Sequence, residues 1–218
     1  MSETMPAAVY RTPGVVEVAD VPVPPPAEGT ALVAVDYCGI CGTDLHLVLD
    51  GWGRPDSILG HEWSGRVVEP GPSGLAPGTA VVGAPPPPCG RCHPCSLGRP
   101  SLCRDHAAAG TGQEQGAFAR YVRLDPRRLL AVPPGVDQRA AAFVEPLAVA
   151  LHAVTLAAPE PDRRALVFGA GPIGAAIVAL LVRRGIEVDV VEPGAVRQGL
   201  AARLGARVRG VDELDVPD

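Results

Sequence analysis

The sequence predicts a β-rich domain followed by part of an α/β domain, and a change of texture along the chain is what predicts it. From Pro6 to about Pro134, short apolar runs are broken by Pro and Gly. Runs of that length bounded by turn residues read as strands of a partly closed barrel. From about Asp137, helix-like and strand-like segments alternate in the β-α-β-α-β order of half a doubly wound parallel sheet. Two domains are therefore expected, over residues 1–150 and 151–218.

In the first domain, Thr30–Val35, Gly65–Val68, Thr79–Val82 and Ala117–Val122 are the predicted strands. The prolines at 22, 24, 25 and 26 and at 85–88 predict loops or extended edges. Asp137 to Ala142 reads as a capped helix start, and after Glu145-Pro146 the segment Leu147–Ala158 carries apolar residues at helical spacing. Next come a strand at Ala165–Phe168, a helix at Pro172–Arg184, a strand at Glu187–Val191, a helix at Ala195–Leu204 and a strand at Arg207–Val211. No internal repeat is present.

Composition narrows the class. With 218 residues, 47% of them hydrophobic, the chain has ample material for a packed core. Its net charge of -5 and lack of a Lys/Arg block point away from nucleic acid and anionic membrane surfaces. The most apolar stretch, Pro172–Val182, is too short to span a bilayer, and Met1–Pro6 lacks the features of a signal peptide. A cytoplasmic location is expected, where the six cysteines remain thiols or metal ligands.

Three motifs carry chemistry. Cys41, His61 and Glu62 offer a thiolate, an imidazole and a carboxylate from two segments, a mixed set that suits zinc and leaves a coordination position open. Thr43 and His46 are a hydroxyl and an imidazole able to pass a proton outward, and Asp44 is expected to accept the other N–H of His61. Cys38, three residues before Cys41, is read as packing because the pair follows a strand of the barrel instead of opening a βαβ helix. Trp52 is a lone aromatic that either lines a pocket or packs.

Cys89, Cys92, Cys95 and Cys103, spaced C-x2-C-x2-C-x7-C in a Pro/Gly-rich loop, match a closed structural zinc site. An iron–sulfur cluster is the competing reading, disfavoured by the absence of a Pro after the last cysteine and of a second cysteine run. His93 within the loop is expected to be exposed. The third motif is Gly169-Ala170-Gly171-Pro172-Ile173-Gly174, a G-x-G-x-x-G string between a predicted strand and a predicted helix, suited to a dinucleotide pyrophosphate. Glu192 at the end of the next strand is placed for the ribose hydroxyls and favours NAD over NADP, although it could instead cap the strand end. Arg197 is the residue that could receive a 2′-phosphate.

With these motifs in order, joined by Glu145-Pro146-Leu147-Ala148, the chain resembles the zinc-dependent medium-chain alcohol dehydrogenase family. The resemblance implies a GroES-like catalytic domain joined to a Rossmann domain. It also implies that Cys41 and His61 bind a catalytic zinc, that Glu62 and Glu145 bind or alternate there, and that Thr43 and His46 form the proton relay. Glu145, where ethanol-type members have a cysteine, makes the chain more similar to the sorbitol and threonine dehydrogenase branch. A secondary alcohol or polyol is thus the expected substrate, with two zinc ions per chain. Members of the family continue through a second half of the nucleotide domain and then return to the catalytic domain, so the sequence resembles a C-terminally truncated member. A homo-oligomer or a complementing C-terminal subunit is accordingly expected. The alternative is a non-catalytic zinc- and nucleotide-binding homologue with a structural or regulatory role.

Overall fold

A computed structural model describes residues 3–105, 115–160, 163–210 and 213 of the chain. It divides into two compact units, Met1–Glu145 and Pro146–Asp218. Chain order in the first is β1 (Thr4–Thr12), β2 (Val15–Pro22), β3 (Ala31–Gly39), α1 (Gly42–Leu49), β4 (Ser57–Ile58), β5 (Glu62–Glu69), β6 (Ala80–Gly83), α2 (His93–Ser96), β7 (Tyr121–Leu124), β8 (Leu129–Ala131) and α3 (Gln138–Ala141). Helix α4 (Val144–Ala157) begins at the division, and β9 (Arg164–Phe168), α5 (Pro172–Arg183), β10 (Glu187–Val191), α6 (Ala195–Arg203) and β11 (Arg207–Arg209) follow.

The first unit holds a β2-β1-β4 sheet and a five-stranded sheet ordered β7-β3-β5-β6-β8, antiparallel throughout. The side chains of β3 alternate in burial only loosely, yet Ala31 and Val33 meet Trp63 and Val67 of β5, Val81 of β6 and Val122 of β7 in one buried cluster. Each valine or leucine so buried contributes about 1.5–3 kcal/mol relative to exposure. A second cluster, Tyr10, Leu47 and Leu59, anchors the inner face of α1.

Several sequence expectations shift by a few residues. The expected strand at Ala117–Val122 is an isolated bridge, Ala119 to Ala7, followed by the regular strand Tyr121–Leu124. Asp137 does cap a helix, accepting from the N–H groups of Arg139 and Ala140, although the helix is a single turn. Helix α4 starts ahead of Glu145-Pro146, because a proline in the first turn forfeits no hydrogen bond. Val211, the expected end of the last strand, lies outside the described residues.

The second unit is a parallel sheet ordered β11-β10-β9. Val188 and Val190 of β10, with Ala165, Val167 and Val208, pack on Val178 and Leu181 of α5 and Ala201 of α6. The opposite sheet face carries Arg164, Leu166 and Phe168 on β9, with Phe168 68% exposed. No helix among the described residues is long and apolar enough to cross a membrane.

Candidate metal and nucleotide sites

The first candidate metal site is built by strand register. Strands β3 and β5 pair with Gly39 opposite Glu62 and Cys38 opposite Trp63, which carries the ends of both segments to one place. Gly60 turns the second segment with φ +96°, and a Cβ there would meet the Phe118 ring at 2.8 Å and the Cys38 sulfur at 2.9 Å. The ligand atoms of Cys41, His61 and Glu62 consequently lie within 4.8 Å of one another. All three residues are half-buried, so the cluster is reachable from solvent. A thiolate, an imidazole and a carboxylate at that separation fit a zinc with an open position.

Asp44 departs from the sequence expectation. It is only 2% exposed, and its Oδ2 accepts from the Cys41 N–H at 2.9 Å while its Oδ1 accepts from the Gly60 N–H at 3.3 Å. His61 Nδ1 stands 3.6 Å from Asp44 Oδ1, longer than a hydrogen bond, and is buried without a hydrogen-bond partner. The reason is local: Cys41 caps α1 and Asp44 is the third residue of the helix, so the capping box claims its carboxylate. Asp44 thus clamps the two ligand-bearing segments together by their backbones. The orphaned, buried His61 nitrogen is the kind of group that a bound ion or a small rearrangement would satisfy.

Glu145 lies outside the three-residue cluster yet feels it. Burial pushes its carboxyl pKa up, with Glu62 and Asp44 adding to the rise and His61 opposing it. Cys38 is a half-buried thiol pushed up to about 12, by desolvation first and the carboxylates of Asp44 and Glu62 second. It packs against the barrel core, in keeping with the packing role expected of it. Thr43 sits exposed in the first turn of α1. His46 lies one turn further on, its Nδ1 2.8 Å from Asp50 Oδ2 and its ring stacked on Trp52. Sequence reasoning passed over Asp50; its signal was the i,i+4 spacing from His46 on a helix.

In the cysteine lobe, Cys89, Cys92, Cys95 and Cys103 converge within the same 4.8 Å limit. Cys92 Sγ is 3.4 Å from Cys95 Sγ and 3.9 Å from Cys103 Sγ. A disulfide would bring two sulfurs to about 2 Å, whereas thiolates at 2.3 Å from a tetrahedral zinc stand roughly 3.8 Å apart. Backbone N–H groups of Cys89 and Cys92 point at the sulfurs of Cys103 and Cys89, and those of Arg104 and Cys95 draw the Cys92 thiol down to about 6, while burial and the neighbouring Cys92 sulfur push Cys95 up to about 12. Donors aimed at sulfur stabilise thiolates, the form that binds metal. His93 is exposed, as expected from its place in the loop, and opens the single-turn helix α2.

The glycine string joins β9 to α5. Gly169 adopts φ +87° and its N–H donates to the Val191 carbonyl at 2.8 Å, while a Cβ on Gly174 would collide with the Gly169 carbonyl. Gly171 is the N-cap, its Cβ direction open, and Pro172 and Ile173 open the helix with no side chain capping its N–H groups. That leaves a backbone cradle of the sort that receives phosphate. Glu192, 4% exposed, uses both oxygens locally: Oε2 accepts from the Ala170 N–H at 2.8 Å, and Oε1 from the Gly194 N–H and Arg197, each at 2.7 Å. The Arg197 guanidinium, followed by the two N–H groups, holds its pKa down at about 2.

Residues 27–134 match the model of the alcohol dehydrogenase GroES-like domain. The chain is 36% identical over 195 residues to the 2-dehydro-3-deoxy-L-galactonate 5-dehydrogenase of Pseudoalteromonas atlantica, covering 87% of this chain and 56% of that protein. It is 35% identical over 215 residues to the L-threonine 3-dehydrogenase of Pyrococcus horikoshii, covering 94% and 61%. The chain belongs to the zinc-dependent medium-chain alcohol dehydrogenase family. A Sinorhizobium meliloti protein assigned as a zinc-binding dehydrogenase and solved with NADP superposes on it with a TM-score of 0.90 at 35% identity, over 98% of this chain and 64% of the other. The chain therefore spans between about half and two thirds of the length of these family members. Its antiparallel first unit and parallel second unit are the GroES-like domain and part of the Rossmann domain of the family.

Proposed function

We propose that this chain supplies the zinc-binding and adenosine-binding parts of a dehydrogenase that oxidises a secondary alcohol or polyol with NAD. The observation that carries the reading is the convergence of Cys41, His61 and Glu62 at the start of α1, whose first turn presents Thr43. Zinc bound there supplies Lewis acidity toward an alcohol oxygen, and a nicotinamide supplies the hydride acceptor. The chain's own residues bind, orient and move the proton. Cys41 and His61 hold the metal with Glu62, and Glu145 is the alternate carboxylate. The Thr43 hydroxyl takes the alcohol proton and hands it on to His46, which is exposed and releases it to water. A second zinc held by Cys89, Cys92, Cys95 and Cys103 fastens a loop that has no core of its own.

NAD is the proposed cofactor because the Glu192 carboxylate disfavours a 2′-phosphate, and the charge of Arg197 is already matched by Glu192. The relatives' names specify C3 of L-threonine and C5 of a galactonate, and a hydroxyl at such a carbon is the proposed substrate class. Among the described residues β9 lies at the sheet edge with Leu166 and Phe168 exposed, which favours a homo-oligomer or a complementing C-terminal subunit. Neither nucleic acid nor membrane is a proposed partner. Six cysteines kept as thiols or ligands suit the cytoplasm.

The test is Thr43→Val in the reconstituted, active assembly. Turnover should fall at least tenfold with zinc content retained, and NAD should be reduced faster than NADP. Equal loss of turnover and zinc would make Thr43 structural.

A further inference from the structure

His46 is not a free surface imidazole. Asp50 follows it by one helical turn, and the Asp50 carboxylate lies 2.8 Å from Nδ1 while the Asp50 N–H donates to the His46 carbonyl at 3.0 Å. Beyond the helix the chain doubles back. Gly51 takes φ +74°, the Gly53 N–H donates to the Leu47 carbonyl at 2.8 Å, and a Cβ on Gly53 would meet the Tyr10 ring at 2.8 Å. This tight return carries Trp52 over His46, with ring centroids 5.9 Å apart and planes within 20°. Trp52 is 72% exposed, so the indole contributes little to the core. An exposed i,i+4 pair likewise adds little to stability. What the two contacts do achieve is to fix one imidazole in plane and in orientation.

We propose that Asp50 and Trp52 are positioning residues for His46, with Asp50 holding the proton on Nδ1 so that Nε2 is left as the proton acceptor. The inference rests on the relay role proposed for His46. A neutral imidazole carries one N–H, and an ionised carboxylate only accepts, so the Asp50 contact selects the tautomer with hydrogen on Nδ1. A proton delivered through the Thr43 hydroxyl then binds the lone pair of Nε2, giving an imidazolium whose charge faces the Asp50 carboxylate. Release of that same proton from Nε2 to water restores the starting form. The alcohol O–H breaks as the Thr43 O–H is remade, and the proton Thr43 gives up forms the Nε2–H bond that release to water breaks again.

The decisive experiment is long-range 1H–15N correlation of the chain at a pH where imidazoles are neutral, with the His46 signals identified by their loss in His46→Gln. The native chain should show the Nδ1–H pattern, Asp50→Ala should convert His46 to the Nε2–H form common in water, and Asp50→Glu should restore it. A native Nε2–H pattern, or a tautomer indifferent to Asp50→Ala, overturns the proposal. In the active assembly Asp50→Ala should reduce turnover about tenfold with zinc content and KM unchanged, and Trp52→Ala should reduce it less. Unchanged turnover in Asp50→Ala together with a large loss in His46→Gln would leave the relay standing and remove Asp50 from it. Unchanged turnover in His46→Gln would remove the relay itself, whatever the tautomer.

Discussion

The two metal sites reach the same end by opposite routes. In the cysteine lobe all four ligands fall between residues 89 and 103, and only Cys103 is buried. Single-turn helices and backbone N–H···S contacts are the main organisation of the segment, so a metal bound there would supply much of its order. At Cys41, His61 and Glu62 the order comes first, from β3–β5 pairing and the Asp44 clamp. In the proposed reading, one site is a metal that would build a loop. The other is a fold that presents candidate ligands, and it is expected to survive loss of a metal.

Paired substitutions should break that symmetry most visibly. Cys95→Ala should release one zinc and unfold the lobe, lowering the melting temperature and opening residues 89–103 to protease. His61→Ala should also release one zinc, yet leave melting within a few degrees, because the β3–β5 ladder and its buried valines stay intact. Metal analysis with thermal denaturation reads both. A single zinc that persists through His61→Ala would remove the second site.

Asp44→Asn sits between these extremes. An amide presents one acceptor where the native side chain presents two, so either the Cys41 or the Gly60 N–H is left facing a donor. A loss of about 1–2 kcal/mol in stability is expected, with zinc at Cys41 and His61 held about 10–100-fold more weakly while the lobe keeps its ion. Chelator competition resolves the two ions.

The smallest effect is expected in the second unit, far from either metal in sequence. Glu192 has its pKa lowered from the usual 4.5 to about 2, chiefly by Arg197. A depressed folded pKa means the carboxylate's contribution is complete above pH 4.5 and is lost as pH falls toward 2. Glu192→Gln should therefore narrow its stability gap from the native chain across that window, measured by denaturation at stepped pH. A gap that does not change with pH would mean Arg197 and the two N–H groups do not discriminate the ionised form.

Much of this was legible because short-range rules governed it. The four cysteines needed only their spacing, and the glycine string only its place between strand and helix. Cys41, His61 and Glu62 were visible as a chemical set, although their meeting depends on long-range strand register that no local pattern encodes. Asp44 was misread for a physical reason: two claims competed for one carboxylate, and the backbone N–H groups of the helix start and of Gly60 prevailed over an imidazole. The Cys41-x-x-Asp44 spacing of a capping box was the available clue. Strand β2 left a faint trace because nearly all of Val15–Pro22 is exposed, so no apolar alternation marks it.

The register of β3 against β5 also sets a condition on the Cys41 site. Cys41 and His61 meet where Gly39 stands opposite Glu62, so the entropy cost of closing that loop falls on strand pairing. A slip of two residues would preserve which side chains face the barrel yet carry Cys41 about 7 Å along the ladder, out of reach of its partners. A misregistered chain could bury the same core and still be unable to hold zinc there, so metal occupancy at Cys41 reports whether two strands found the right partners, while occupancy of the cysteine lobe reports nothing about them.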